Sequence, residues 1–87
     1  MRVVVTRIEH DGTMQRRMVD CAQQRDCLEW EQLAARAMAA PAPYRPVAGT
    51  VVYHVSVDHV AVMVAERDLA GPLLDLATAV LALGDPL

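Results

Sequence analysis

The chain has 87 residues, a length that supports one hydrophobic core and leaves little room for a deep substrate cleft. Eight basic and eleven acidic side chains give a net charge of −3, which excludes the strongly basic surface typical of nucleic-acid-binding domains. Apolar residues make up 54% of the chain and Phe is absent, so we expect an aliphatic core. These bounds favour a single domain over residues 1–87.

The location of the protein is predicted from its apolar runs and its cysteines. No stretch approaches the roughly 18 consecutive apolar residues of a membrane span, and the start, MRVVVTRIEHD, lacks the apolar run and cleavage site of a signal peptide. We therefore predict a cytoplasmic protein with no membrane segment. In that reducing compartment Cys21 and Cys27, which do not form a C-x-x-C motif, are expected to be free thiols. A disulfide would imply export or oxidative stress.

The chain opens with two segments of strand-forming residues. Residues 1–8 are rich in β-branched side chains and apolar on both faces, which predicts a central strand. Residues 9–13 contain His10-Asp11-Gly12, typical turn chemistry in which Gly12 can take a positive φ. Residues 14–19 return as a second, more polar strand, expected at an edge or on an exposed face.

A helix is predicted after this hairpin. Asp26 is a favourable N-cap and Glu29 completes a capping box, so the helix should begin near Cys27. Apolar residues then recur at helical spacing, with Trp30 expected in the core. The helix must end by Ala40, because prolines follow.

Residues 41–49, PAPYRPVAG, form the Pro-rich part of the chain. Pro43 and Pro46 have the spacing of a PxxP ligand. A stiff extended connection between the helix and the next strand explains the same composition, and we favour it.

The most strongly patterned stretch is residues 49–66, GTVVYHVSVDHVAVMVAE. Its alternating apolar residues predict a hairpin with Asp58 and His59 as a two-residue turn. Seven apolar side chains then fall on one face: Val51, Tyr53, Val55, Val57, Val60, Val62 and Val64. A slip of one residue would send part of this set to the opposite face, so the pattern itself specifies the register.

The last part of the chain predicts a second helix. Pro72 suits its first turn and Gly84 its end. More than half of its surface is apolar, which requires burial on two sides or a partner. The predicted fold is therefore α+β in the order β-β-α-β-β-α, a four-stranded antiparallel sheet with two helices packed on one face.

Side chains able to support catalysis or bind a metal are few and do not converge. His54 and His59 with Asp58 lack the spacing of a metal motif, and Ser56 beside His54 has no orienting carboxylate. No Gly-rich phosphate loop occurs. We expect surface histidines, no catalytic residue, no metal and no cofactor.

Two further groups suggest contact with a partner. His10 and Asp11 are adjacent on a turn without a pocket to tune their pKa values, so solvated turn residues or a partner contact are expected there. Arg16 and Arg17 point to opposite faces of a strand, so at most one of them joins Arg7 in a basic patch. That patch would meet an acidic partner or be an ordinary solvated surface.

The whole pattern resembles a known family. MRVVVTR, a short loop, RR and MVD, a helix opened by LEWEQL, a Pro-rich link and YHVSVDHVAVMVAERDLAGPLLDL are similar to the emfourins, small protein inhibitors of thermolysin-like zinc metalloproteases. The resemblance covers about residues 1–83. Its most specific parts are V-x-V-D at 55–58, E-x-D-L at 66–69, and the frame of Arg7, Arg16 and Arg17. Where the family has a Gly-rich S-G-G-F-type loop, this chain has IEHDG at 8–12.

The resemblance implies an intracellular, non-catalytic protein that inhibits a thermolysin-like metalloprotease by occluding its cleft with the first hairpin loop. His10 or Glu9 would approach the zinc of the enzyme. The partner-binding residues would be Arg7, Ile8, Glu9, His10, Asp11, Gly12 and Arg16.

The alternative is an interaction or structural module, a homodimer through the last helix or an edge strand, which Asp at Leu76 or Leu83 should disrupt. A small enzyme is the least favoured hypothesis, because no convergent polar pocket is predicted.

Overall fold

The chain forms two antiparallel hairpins, each followed by a helix. The computed structural model describes residues 1–39 and 49–87. The elements in chain order are β1 (Arg2–Ile8), β2 (Met14–Asp20), a 3-10 turn (Cys21–Gln23), α1 (Cys27–Met38), β3 (Val52–Val57), β4 (Val60–Ala65), a 3-10 turn (Glu66–Asp68), α2 (Gly71–Leu83) and β5 (Asp85–Pro86). The predicted α+β class with an antiparallel sheet is confirmed. Most of the predicted Pro-rich connection lies outside the described residues.

The predicted number of strands was wrong. Within the described residues the sheet has five strands in the order β4-β3-β1-β2-β5, so β1 is central as predicted. The fifth strand pairs Asp85 with Met18 and Pro86 with Arg17 at the outer edge of β2. Two residues that include a proline carry no strand pattern of their own, so no local signal predicts β5.

The second hairpin has the predicted register. Tyr53 pairs with Val64, and Val57 pairs with Val60 beside the turn. Asp58 takes a φ of 51°, which Asp adopts more readily than most residues. Its carboxylate accepts a hydrogen bond from the Arg2 backbone N–H at 2.9 Å, and its own N–H donates to the Arg2 carbonyl at 2.9 Å. These two hydrogen bonds hold the turn against the start of β1.

One core joins both helices to one face of the sheet. The strands contribute Val3, Val5, Val19, Val55 and Val64; α1 contributes Trp30, Ala34 and Ala37; α2 contributes Leu73, Leu76, Ala77 and Val80. The valine face of the second hairpin is not buried over its whole length, since Val60 is 58% exposed. Val60 lies next to the turn on an edge strand, where fewer neighbours cover it.

Helix α1 begins where predicted, but not with the predicted cap. Asp26 makes no side-chain hydrogen bond to the first turn of the helix. Its carboxylate instead accepts a hydrogen bond from Nε1 of Trp30 at 3.0 Å. The indole is 6% exposed, and a buried indole N–H needs an acceptor. In place of the predicted capping box with Glu29, the Asp26 carboxylate therefore binds the indole of a buried residue in the same helix.

The prediction of two free thiols was wrong, because Cys21 and Cys27 form a disulfide. The 3-10 turn and the first turn of α1 bring their Cα atoms to 4.9 Å, inside the range that a disulfide spans. Disulfides persist mainly in oxidising compartments, so the cytoplasmic location stays a prediction. Among the helices of the described residues, none is long and apolar enough to cross a membrane.

Candidate partner-binding loop

The first hairpin loop, residues 8–13, is closed by its own hydrogen bonds. The Glu9 N–H donates to the Thr13 carbonyl at 2.8 Å, and the Gly12 N–H donates to the Glu9 carbonyl at 2.9 Å. The Asp11 carboxylate accepts from the Thr13 N–H at 2.9 Å. Gly12 has a φ of 90°, a conformation open to glycine and strained for other residues. The loop therefore has internal hydrogen bonds that do not depend on a partner.

Arg7 fastens the base of this loop to the second hairpin. Its Nε donates to the Tyr53 hydroxyl at 3.1 Å. Its guanidinium also forms an ion pair with Glu9 and lies 3.5 Å from the Glu66 carboxylate. The hydrogen bond with Tyr53 raises the pKa of Arg7, and the charge of Glu66 acts in the same direction. Arg7 thus joins three parts of the chain: the loop at Glu9, β3 at Tyr53 and the residue that follows β4, Glu66.

Arg16 lies on the opposite face of the sheet from Arg7. The register pairs Thr6 with Arg16 and Arg7 with Gln15, and paired residues share a face. Nε of Arg16 donates to the Thr6 hydroxyl at 3.1 Å. The structure therefore does not bring Arg7 and Arg16 into one patch. Arg17 shares the face of Arg7, and its guanidinium donates to the Arg16 carbonyl at 3.0 Å.

The remaining predicted site residues form the base of the loop, Ile8 and Glu9, and its tip, His10, Asp11 and Gly12. Ile8 and Glu9 are partly buried, whereas His10, Asp11 and Gly12 are exposed. The Glu9 carboxylate is engaged by Arg7. His10 makes no hydrogen bond or ion pair within the part of the chain that the structure describes. Its imidazole is the free polar group at the tip.

Sequence reasoning missed Tyr53 and Glu66 as supports of the loop. Tyr53 follows Arg7 by 46 positions and meets it because β1 pairs with β3, with Arg7 directly opposite Tyr53. Each hairpin has its own local signal, whereas the pairing between the two hairpins has none. Tyr53 is the one aromatic side chain on a valine-rich face, but this does not identify its partner.

His54 and His59 do not form part of a metal-type cluster in the described residues. His54 lies on the face opposite Val55, and His59 is exposed in the turn of the second hairpin. That turn lies next to Arg2, at the other end of β1 from the first hairpin loop. The turns that carry His10 and His59 therefore lie at opposite ends of the sheet.

The loop is expected to loosen in acid. The hydrogen bond from the Thr13 backbone lowers the pKa of Asp11 below the ordinary value of about 3.9. A carboxylate with a depressed pKa stabilises the folded loop above its unfolded pKa, and this contribution is lost as the pH falls through the folded pKa. NMR titration should show the Asp11 carboxyl and the Thr13 amide shifting together below pH 3.9. In the control variant Asp11→Asn, the Thr13 amide should no longer shift in this pH range. A pKa of Asp11 above its ordinary value would contradict the hydrogen bond to Thr13.

Replacing Arg7 should loosen the loop without unfolding the protein. Arg7→Met keeps an aliphatic stem but removes the bond to Tyr53 and both ion pairs. We expect faster hydrogen exchange at the Gly12 and Thr13 amides, with little change at β3. Arg17→Met is the matched control: among the described residues its guanidinium forms no ion pair, and it donates one hydrogen bond, to the neighbouring Arg16 carbonyl. Equal exchange rates in the two variants would show that Arg7 does not hold the loop.

Comparisons of the chain with protein-family models, with curated proteins and with solved structures found no match. The resemblance to the emfourins therefore stays a prediction.

Proposed function

We propose that this chain is an emfourin-like protein that binds and inhibits a thermolysin-like zinc metalloprotease, inserting the first hairpin loop into the active-site cleft. The observation that supports the proposal most is a loop ordered by its own hydrogen bonds, with an exposed and unpaired imidazole at its tip. An ordered loop loses less conformational entropy on binding than a flexible one. The chain would supply no catalytic group of its own.

His10 is the group that we assign to the zinc of the protease. Neutral imidazole is a common zinc ligand, and the side chain of His10 is exposed. Glu9, the other candidate, already pairs with Arg7 and is partly buried. Releasing Glu9 would break the contact that fastens the loop base, so His10 is the better candidate.

Inhibition of peptide hydrolysis by a thermolysin-like protease tests the proposal. The unaltered chain should inhibit, and His10→Ala should weaken inhibition by about tenfold or more, as expected for a central contact residue. His59→Ala is the matched control, since it removes an exposed imidazole from the other hairpin turn. No inhibition at high molar excess would refute the function. Equal inhibition by the His10 and His59 variants would refute the role of the loop tip.

A homodimer through an edge strand is the second candidate. Strand β4 has the sequence VAVMVA without a charge, lies at one edge of the sheet, and leaves Val60 58% and Met63 38% exposed. Uncharged edge strands tend to pair with another chain. The unaltered chain should then have the mass of a dimer in solution. Met63→Lys should reduce this mass to the 9.5 kDa of one chain, whereas Met14→Lys should not. A monomer at micromolar concentration would contradict it.

A further inference from the structure

Three side chains with metal-binding atoms meet where the first 3-10 turn joins α1. Cys21, Cys27 and Glu31 have their ligand atoms within 4.8 Å of one another. Cys27 and Glu31 are four residues apart on α1 and so share a face of the helix. Oε1 of Glu31 lies 3.6 Å from the Cys27 sulfur and 3.9 Å from the Cys21 sulfur.

We propose that Cys21 and Cys27, once reduced, form with Glu31 a binding site for a thiophilic divalent cation such as Zn²⁺. The disulfide form and the metal-bound form would then exclude each other, because a thiolate is a metal ligand and a disulfide sulfur is not. The site would be a redox-gated metal site, independent of the first hairpin loop.

The distances fit tetrahedral coordination. Zinc binds thiolate sulfur at about 2.3 Å and carboxylate oxygen at about 2.0–2.2 Å, so a sulfur and an oxygen on one zinc ion are roughly 3.5 Å apart. The two sulfur-to-oxygen distances from Glu31, 3.6 and 3.9 Å, are already close to that value. To bind one zinc ion, the sulfur atoms of Cys21 and Cys27 must also move apart, to roughly 3.8 Å.

The surroundings of the site support its formation after reduction. The Cys21 N–H donates to the Met1 carbonyl at 2.9 Å, and the Gln24 N–H donates to the Cys21 carbonyl at 3.0 Å. These bonds hold the 3-10 turn in place when the disulfide opens. Cys21 is fully buried, Cys27 is partly buried and Glu31 is exposed. A cation would enter from the side of Glu31, with water as its fourth ligand.

The chemical steps balance with a dithiol as reductant. Two electrons and two protons convert the disulfide to two thiols, while the dithiol is oxidised to its own disulfide. The cation then displaces the two thiol protons, which leave to solvent, and two thiolates with one carboxylate bind it. A small-molecule disulfide reverses the process: it takes two electrons from the two thiolates and two protons from solvent to become two thiols, while the Cys21–Cys27 disulfide re-forms and the cation is released.

Cobalt(II) titration of the full chain tests the proposal. Protein reduced with a dithiol and freed of it anaerobically should bind one Co²⁺ per chain, with sulfur-to-cobalt charge-transfer absorption in the near ultraviolet and the visible bands of tetrahedral cobalt. The oxidised protein should show neither. Glu31→Gln should weaken binding by roughly tenfold or more. Glu29→Gln, an exposed acid on the same helix, is the matched control and should bind normally.

Cys27→Ser serves as the cysteine variant, because Cys27 is less buried than Cys21 and its replacement is more readily accommodated; circular dichroism checks the fold. It should lose the charge-transfer band at concentrations where the unaltered chain is saturated. Equal cobalt binding by the oxidised and reduced proteins would overturn the proposal. So would the absence of the band from the reduced protein, or equal affinities for the Glu31 and Glu29 variants.

Discussion

Aspartate at Leu76 is expected to unfold the protein, whereas aspartate at Leu83 should leave it folded. Leu76 is 0% exposed and lies in the core that α2 shares with the sheet. A charge there would be buried without a partner, which costs on the order of 5 kcal/mol, comparable with the whole stability of a small domain. Leu83 is 71% exposed, so its replacement changes little. Circular dichroism and thermal unfolding distinguish the two outcomes.

This contrast changes how a dimer through the last helix should be tested. The sequence suggested Leu76 and Leu83 as equivalent probes, but only Leu83 lies on a surface that a partner can reach. If α2 forms a dimer interface, Leu83→Asp should lower the mass in solution to that of one chain with an unchanged spectrum. A dimer mass that survives Leu83→Asp excludes this interface. Leu76→Ala, which should cost about 2–5 kcal/mol, gives the milder core control.

Alanine at Gly84 is expected to destabilise the protein by about 2 kcal/mol, as overpacking does, and to lower Tm by roughly 10 °C. A Cβ there would lie 2.6 Å from the Val80 carbonyl oxygen and 2.9 Å from the Met18 carbonyl oxygen. Both neighbours are backbone atoms of regular elements, which do not move aside cheaply. Backbone φ is not the cause, because at −77° any residue fits.

Thermal unfolding of Gly84→Ala beside Ala82→Ser measures this effect. Ala82 is exposed near the same end of α2, so its replacement controls for helix propensity there. Because the crowding involves Met18, amide exchange should also rise at Asp85, which pairs with Met18 and is the residue of β5 that has a backbone N–H. A stability equal to that of the Ala82 variant would show that the helix end relaxes to make room.

Local patterns predicted the second hairpin and the bounds of the helices well. Alternating valines determined the register from Tyr53–Val64 to Val57–Val60, since any slip would expose them. Pro72 lies in the first turn of α2 and Gly84 follows its last residue. Each of these residue types is favourable at that end of a helix and unfavourable in the interior. These features depend on residues that are close in sequence, and such local patterns can be read from a single sequence.

Contacts between distant segments were not predictable in the same way. The bond between Arg7 and Tyr53 requires β1 to pair with β3, and no local pattern states which hairpins adjoin. One contact within a single helix was also not predictable: the helix start and the Trp30 indole, four residues on, compete as donors to Asp26, and the packing of the indole in the core decides between them. For the candidate loop, the turn at Gly12 followed from sequence, whereas its support by Arg7 did not.

The separation of the two ends of β1 has a practical consequence for handling the protein. The amino terminus lies beside the disulfide, since the Met1 carbonyl accepts from the Cys21 N–H, and seven strand residues place it roughly 20 Å from the first hairpin loop. A biotin or surface linker attached at Met1 would therefore hold the molecule with the tip bearing His10 directed toward solution. Under the proposed function, a chain immobilised in this orientation should capture a protease from solution without its own attachment point blocking the contact.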